Sequence, residues 1–98
     1  MIQAIIRDNS KRIKVKAQSM KGFIYEIVET LNTLKRFKEF PLDIIWGDDC
    51  TICVYRDDDL IFWTGTTPDK WEASHLIDSL NNINHNSNFK VTLLETEE

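Results

Sequence analysis

Met20, Phe23, Ile24, Ile27, Val28, Leu31 and Leu34 recur at steps of three and four residues. At the helical period they fall on one stripe, so this segment is expected to form an amphipathic helix that must lie on an apolar surface. Ser19 stands where an N-cap hydroxyl can accept from an orphan amide of the first turn. Lys35, Arg36 and Lys38 are expected in the last turn, where positive charge suits the helix dipole. Pro41 closes the segment, because the residue before a proline is pushed out of helical geometry. Tyr25, Glu29, Asn32 and Arg36 make up the outward stripe.

The surface for that stripe is foreshadowed by segments of period two. Ile2, Ala4 and Ile6 alternate with Gln3 and Ile5, and Ile13, Val15 and Ala17 alternate with Arg12, Lys14 and Lys16. Between them "DNS" supplies turn chemistry, so residues 1–19 read as a hairpin with one buried and one basic face. Further on, "DIIW", "TICVYR" and "LIFWT" are short, β-branched and aromatic, separated by "GDD" and "DDD". They read as a β-meander whose strands are apolar on both faces, a pattern that needs cover on both sides or exposes one side to a partner.

A second helix is expected from Pro68, with Thr67 as N-cap and Ala73, Leu76, Ile77, Leu80 and Ile83 as its core face. Trp71, His75, Asp78 and Asn82 fall on the opposite, polar face. "NHNSN" ends it, and "FKVTLLE" reads as a last strand.

The order is thus β-β-α-β-β-(β)-α-β. Ninety-eight residues hold one core and one domain, residues 1–98, with a short acidic tail at 95–98. The expected fold is α+β: a two-layer sandwich with a mainly antiparallel sheet of five or six strands and two helices on one face. No internal repeat is evident, and no motif names a family. No apolar run approaches the roughly 20 residues of a membrane span. The N-terminus lacks the basic and long apolar regions of a secretory signal, so a cytoplasmic chain is expected.

The net charge of −4 conceals a division. Met1 to Lys38 carries nine basic and three acidic residues, whereas Glu39 to Glu98 carries three basic and thirteen acidic. Such asymmetry can mark surfaces of opposite sign, unless the fold interleaves the two segments so that their fields cancel.

Catalytic patterns are missing: there is no G-x-S-x-G, Walker A, H-E-x-x-H or G-x-G-x-x-G. Cys50 and Cys53 form a C-x-x-C, but redox pairs of this kind open a helix, and residues three apart on a strand point to opposite faces. They read as small buried hydrophobes. Together with His75 and His85 they miss zinc-finger spacing. His75 and Asp78 stand one turn apart, as pairs on solvated helix faces commonly do. Asp57, Asp58 and Asp59, with Asp48 and Asp49, lack the calcium-loop pattern and suit a polar hairpin tip. No metal, cofactor or enzymatic activity is expected.

Two surface features remain. Trp71 on a polar helix face is of the residue type that anchors protein interfaces, and Trp46, Trp63, Tyr55 and Phe62 add aromatic area in excess of what a small sheet hides. The expected function is therefore binding to another protein, as an inhibitor or immunity-type factor that occludes a functional surface. Asp57, Asp58, Asp59, Trp71 and His75 are the candidate contacts. The acidic charge would steer it to a basic target such as a nucleic-acid-handling enzyme. A phage or mobile-element origin suits such a type. The alternative is a nucleic-acid module using Arg12, Lys14 and Lys16 on the basic strand, with Lys35, Arg36 and Lys38. Against it stand the absence of interleaved aromatics, the acidic remainder of the chain, and the use of lysine to keep an edge strand soluble. A third reading is a small-ligand domain with a site at Tyr55 and Cys53. A homodimer through the open sheet face is compatible with all three.

Overall fold

A computed structural model describes residues 1–47, 51–65, 71–83 and 88–95. The fold is α+β. Its elements are β1 (Ile2–Asp8), β2 (Lys11–Ala17), α1 (Met20–Asn32), a 3₁₀ turn (Lys35–Phe37), β3 (Leu42–Trp46), β4 (Ile52–Arg56), β5 (Asp59–Thr64), α2 (Glu72–Asn82) and β6 (Phe89–Glu95). Among the described residues all strand pairings are antiparallel, but the six strands divide into two three-stranded sheets, ordered β2-β1-β6 and β3-β4-β5. Among the described residues no helix is long and apolar enough to cross a membrane.

The division has a simple form. β1-β2-α1-β3 and β4-β5-α2-β6 are two runs of the same ββαβ order, and each gives its last strand to the other's hairpin: β3 pairs with β4, and β6 pairs with β1. The two runs share a bonding device as well. Asn32 Nδ2 donates to the Leu42 carbonyl at 2.9 Å while the Leu42 amide donates to Asn32 Oδ1 at 2.8 Å. Asn81 makes the same pair of bonds with Val91, at 2.9 and 2.8 Å. A separation of 49 positions (81 − 32) also relates the buried helix residues Ile24, Ile27, Val28 and Leu31 to Ala73, Leu76, Ile77 and Leu80. The correspondence escapes a reading of residue identities because it lies in apolar character and hydrogen bonding rather than in particular side chains.

Each helix touches an edge strand of both sheets, α1 on β2 and β3, α2 on β5 and β6. The result is one core drawing Ile2, Ala4, Ile6 and Val15 from the first sheet, Ile52, Val54 and Phe62 from the second, and the stripes of both helices. Ser19 caps α1 as its position suggests, accepting from the Gly22 amide at 3.1 Å. The helix then stops at Asn32, a turn earlier than the sequence pattern implies. The Asn32 carboxamide binds the returning strand, and the chain enters the 3₁₀ turn that buries Phe37 edge-on against Phe89, with ring centroids 5.8 Å apart. Lys35, Arg36 and Lys38 therefore do not complete the helix. The expected start of α2 at Thr67 and Pro68, the residues Asp48, Asp49, Cys50 and His85, and the tail beyond Glu95 lie outside the described residues.

The hairpin β4–β5 turns on Asp57 and Asp58, with φ of 48° and 69°. A two-residue loop with both central residues left-handed matches the strand twist, and aspartate is among the few non-glycine residues that tolerate it. Replacing Asp58 by glycine removes the Cβ penalty, so Asp58→Gly is expected to stabilise the fold by about 0.5–1 kcal/mol. Asn32→Ala and Asn81→Ala each strip both partners from a buried strand backbone and are expected to cost about 1–3 kcal/mol. Urea unfolding of the three variants measures these changes.

Candidate functional site

Strand alternation gives each sheet one face in the core and one in solvent. In the second sheet, Leu42, Ile52, Val54, Phe62 and Thr64 are buried, while Asp43, Ile45, Cys53, Tyr55 and Trp63 turn the other way. The β4–β5 ladder shifts by one residue between Val54 and Tyr55, which leaves Ile61 as the extra residue and sets Leu60 opposite Tyr55. The outer face thus carries two cross-strand rows, Ile45–Cys53–Trp63 and Asp43–Tyr55–Leu60. Ile45 is 51% exposed, Trp63 62% and Leu60 48%. This is an apolar centre bordered by Asp43 and, at the hairpin tip, by the exposed Asp57, Asp58 and Asp59.

Trp46, at the end of β3, is held differently. Its indole Nε1 donates to the Tyr25 hydroxyl at 2.6 Å, and Lys21 Nζ lies 4.5 Å from the ring centroid, so the side chain ties β3 to α1.

The outer face of the first sheet is of another kind. The register sets Arg7 between Arg12 and Lys90, and Ile5 between Lys14 and Thr92, with Lys16 beside Gln3. Ile5, Arg7, Arg12, Lys90, Thr92 and Leu94 line a shallow cavity of about 280 Å³.

The candidate contacts are thereby sorted. Trp71 immediately precedes α2 and is 73% exposed, and its carbonyl accepts from Ser74 Oγ at 3.2 Å. His75 is exposed on α2. Asp57, Asp58 and Asp59 lie at the opposite end of β5, about 17 Å of extended strand away from the end where Thr64 Oγ1 donates to Glu72 at 2.5 Å. The acidic tip and the Trp71–His75 pair are thus two separate places. Arg12, Lys14 and Lys16 share one exposed face, and Lys35 is exposed in the 3₁₀ turn. Arg36 is not available beside them: it is half-buried, paired with the Asp8 carboxylate through Nε at 2.8 Å and through Nη2, and stacked 5.0 Å over the Phe89 ring. Cys53 and Tyr55 of the small-ligand reading are half-buried within the apolar rows.

Sequence reasoning missed four members of these faces. Ile45 and Leu60 were visible only as parts of doubly apolar strands. Arg7 and Lys90 lie 83 positions apart (90 − 7) and meet only because β6 pairs with β1. Among the described residues no group of three or more His, Cys, Asp or Glu side chains is gathered to hold a metal ion. In comparisons with known proteins, no family model, no curated protein and no solved structure matches this chain. Its function is therefore read from its own two sheet faces.

Phe62 and Trp63 are neighbours with opposite duties. Phe62→Ala is expected to cost about 3–5 kcal/mol because it empties part of the core. Trp63→Ser should change stability by no more than about 0.5 kcal/mol, as an exposed side chain outside the core does. The paired urea midpoints test whether Trp63 serves the fold or a surface.

Proposed function

We propose that this chain is a non-enzymatic binding protein that acts in the cytoplasm by covering the functional surface of another protein with the outer face of β3-β4-β5. One observation carries the reading: Ile45 and Trp63 stand more than half exposed on either side of Cys53, in a single cross-strand row. An apolar centre with a charged rim is the anatomy of a protein interface, and tryptophan is the residue most enriched among its energetic anchors. The rim here is acidic, through Asp43 and Asp57 to Asp59, so the complementary partner is basic around its contact patch, as nucleic-acid-handling enzymes are. Opposite charge at the rim speeds encounter, while the buried rows hold the complex. Trp71, exposed at the other end of β5, is a second anchor point for a partner large enough to span both.

The test immobilises the wild type, Trp63→Ser and Ile45→Asp at equal density, identifies the protein captured from host extract, and measures its affinity after purification. Each substitution is expected to weaken binding by about 30-fold or more, the equivalent of a hot spot of about 2 kcal/mol. The partner's association rate should fall as salt is raised. Retention of the same partner at wild-type affinity by both variants rejects the reading. So does a wild type that self-associates in sedimentation and becomes monomeric on Trp63→Ser, since the occupant of the face is then a second copy of this chain.

A further inference from the structure

The outer face of the first sheet gathers Arg7, Arg12, Lys14, Lys16 and Lys90 from three strands. Arg12, Arg7 and Lys90 stand directly opposite one another in one row, within about 10 Å across two strand spacings. Like charges directly opposite on a sheet destabilise it. None of these five side chains is in an ion pair with a described carboxylate. Asp8, the nearest acid along β1, is turned away and engaged by Arg36. Keeping an edge strand soluble accounts for the lysines of β2. It accounts equally for Lys90 on the opposite edge strand, β6, but not for Arg7, which lies on the central strand with a cationic side chain on either side.

We propose that this face is a binding surface for duplex nucleic acid, which it contacts through the phosphate backbone. Its dimensions suit a polymer rather than a single anion: Arg12, Lys14 and Lys16 extend over about 13 Å of strand. The cavity of about 280 Å³ lies at one end of that line, where Arg7, Arg12 and Lys90 line it together with Ile5, Thr92 and Leu94. A phosphate seated there meets the guanidinium donors of Arg7 and Arg12, and the aliphatic lining of Ile5 and Leu94 suits sugar carbons. Single-strand binding on a sheet relies on aromatic side chains that stack on bases, and no described residue of this face is aromatic. Phosphate contacts of this kind give little sequence preference. The acidic tip at Asp57 to Asp59 belongs to the other sheet, and screening limits its reach to about 8 Å at physiological salt.

This site stands on residues the protein-binding face does not use, so the two can fail independently. The test is fluorescence anisotropy of a labelled mixed-sequence 20-base-pair duplex over 20–200 mM salt, with the wild type, Arg7→Gln, Lys90→Gln, the double variant, and Lys21→Gln, exposed on α1, as a control outside this face. Wild type is expected to bind in about the micromolar range at the low-salt end. Its log–log salt slope should lie roughly between −2.7 and −4.5, for three to five phosphates neutralised. The double variant should lose at least about tenfold in affinity and flatten the slope by about 2. Its thermal midpoint should equal or exceed that of wild type, because the like-charge row is relieved; a merely structural role for these residues predicts a lower one. Lys21→Gln and Trp63→Ser should bind as wild type does. No binding at 20 mM salt, equal loss from Lys21→Gln, or tighter binding to the matching single strand each overturns the proposal. Equal competition by poly-glutamate or by anionic vesicles also overturns it, by assigning the face to acidic proteins or membranes.

Discussion

The exchange of terminal strands is the constraint on which the rest of this structure depends. Each hairpin has a free edge that must be paired, and neither ββαβ run closes its own. β3 crosses to β4 and β6 returns to β1, and the asparagine at the end of each helix secures the crossing by bonding both backbone groups of one residue in the arriving strand. A carboxamide suits that duty because it presents a donor and an acceptor side by side, matching the amide and carbonyl of a single strand residue. With the strands exchanged, each helix spans an edge of both sheets, and a chain of 98 residues can hold one shared core instead of two insufficient ones.

The same exchange sorts the surface chemistry. The basic first part of the chain supplies β1 and β2, and the acidic second part supplies β4 and β5. Their outer faces keep that difference, one lined by arginine and lysine and the other by isoleucine, leucine and tryptophan with aspartate at the border. Lys90 arrives on β6 to complete the cationic row, and Asp43 and Ile45 arrive on β3 to complete the apolar one. Charge separation along the sequence is therefore retained as separation between two sheet faces.

Much of the fold could be read from periodicity. The stripes of Met20 to Leu31 and of Ala73 to Leu80 are buried as their spacing requires, and the alternation of Ile2 to Ala17 forms the first hairpin. Strand segments near "DIIW", "TICVYR" and "LIFWT" were legible from their β-branched and aromatic content. The partition into two sheets was not, because period two says which face a residue takes and nothing about which strand lies beside it. Arg36 shows the limit at a single residue. Its position suggested an exposed helix end, yet its guanidinium is drawn inward by Asp8, which is 28 positions earlier, and by the Phe89 ring. Of the site, Arg12, Lys14, Lys16 and Trp63 were visible as types in a pattern, whereas their neighbours Arg7, Lys90, Ile45 and Leu60 gained meaning only from register.

The sequence by itself determined the element types, the faces those elements bury, the caps and turns at Ser19 and Asp57–Asp58, and the split of charge between the two parts of the chain. These depend on interactions a few residues apart, which composition and spacing encode directly. Tertiary structure alone decided the strand exchange, the paired asparagine clamps and the assembly of a cationic row and an apolar row on opposite sheets. Those features join residues tens of positions apart, and such contacts are selected by the closure of a common core rather than by any local preference of the chain.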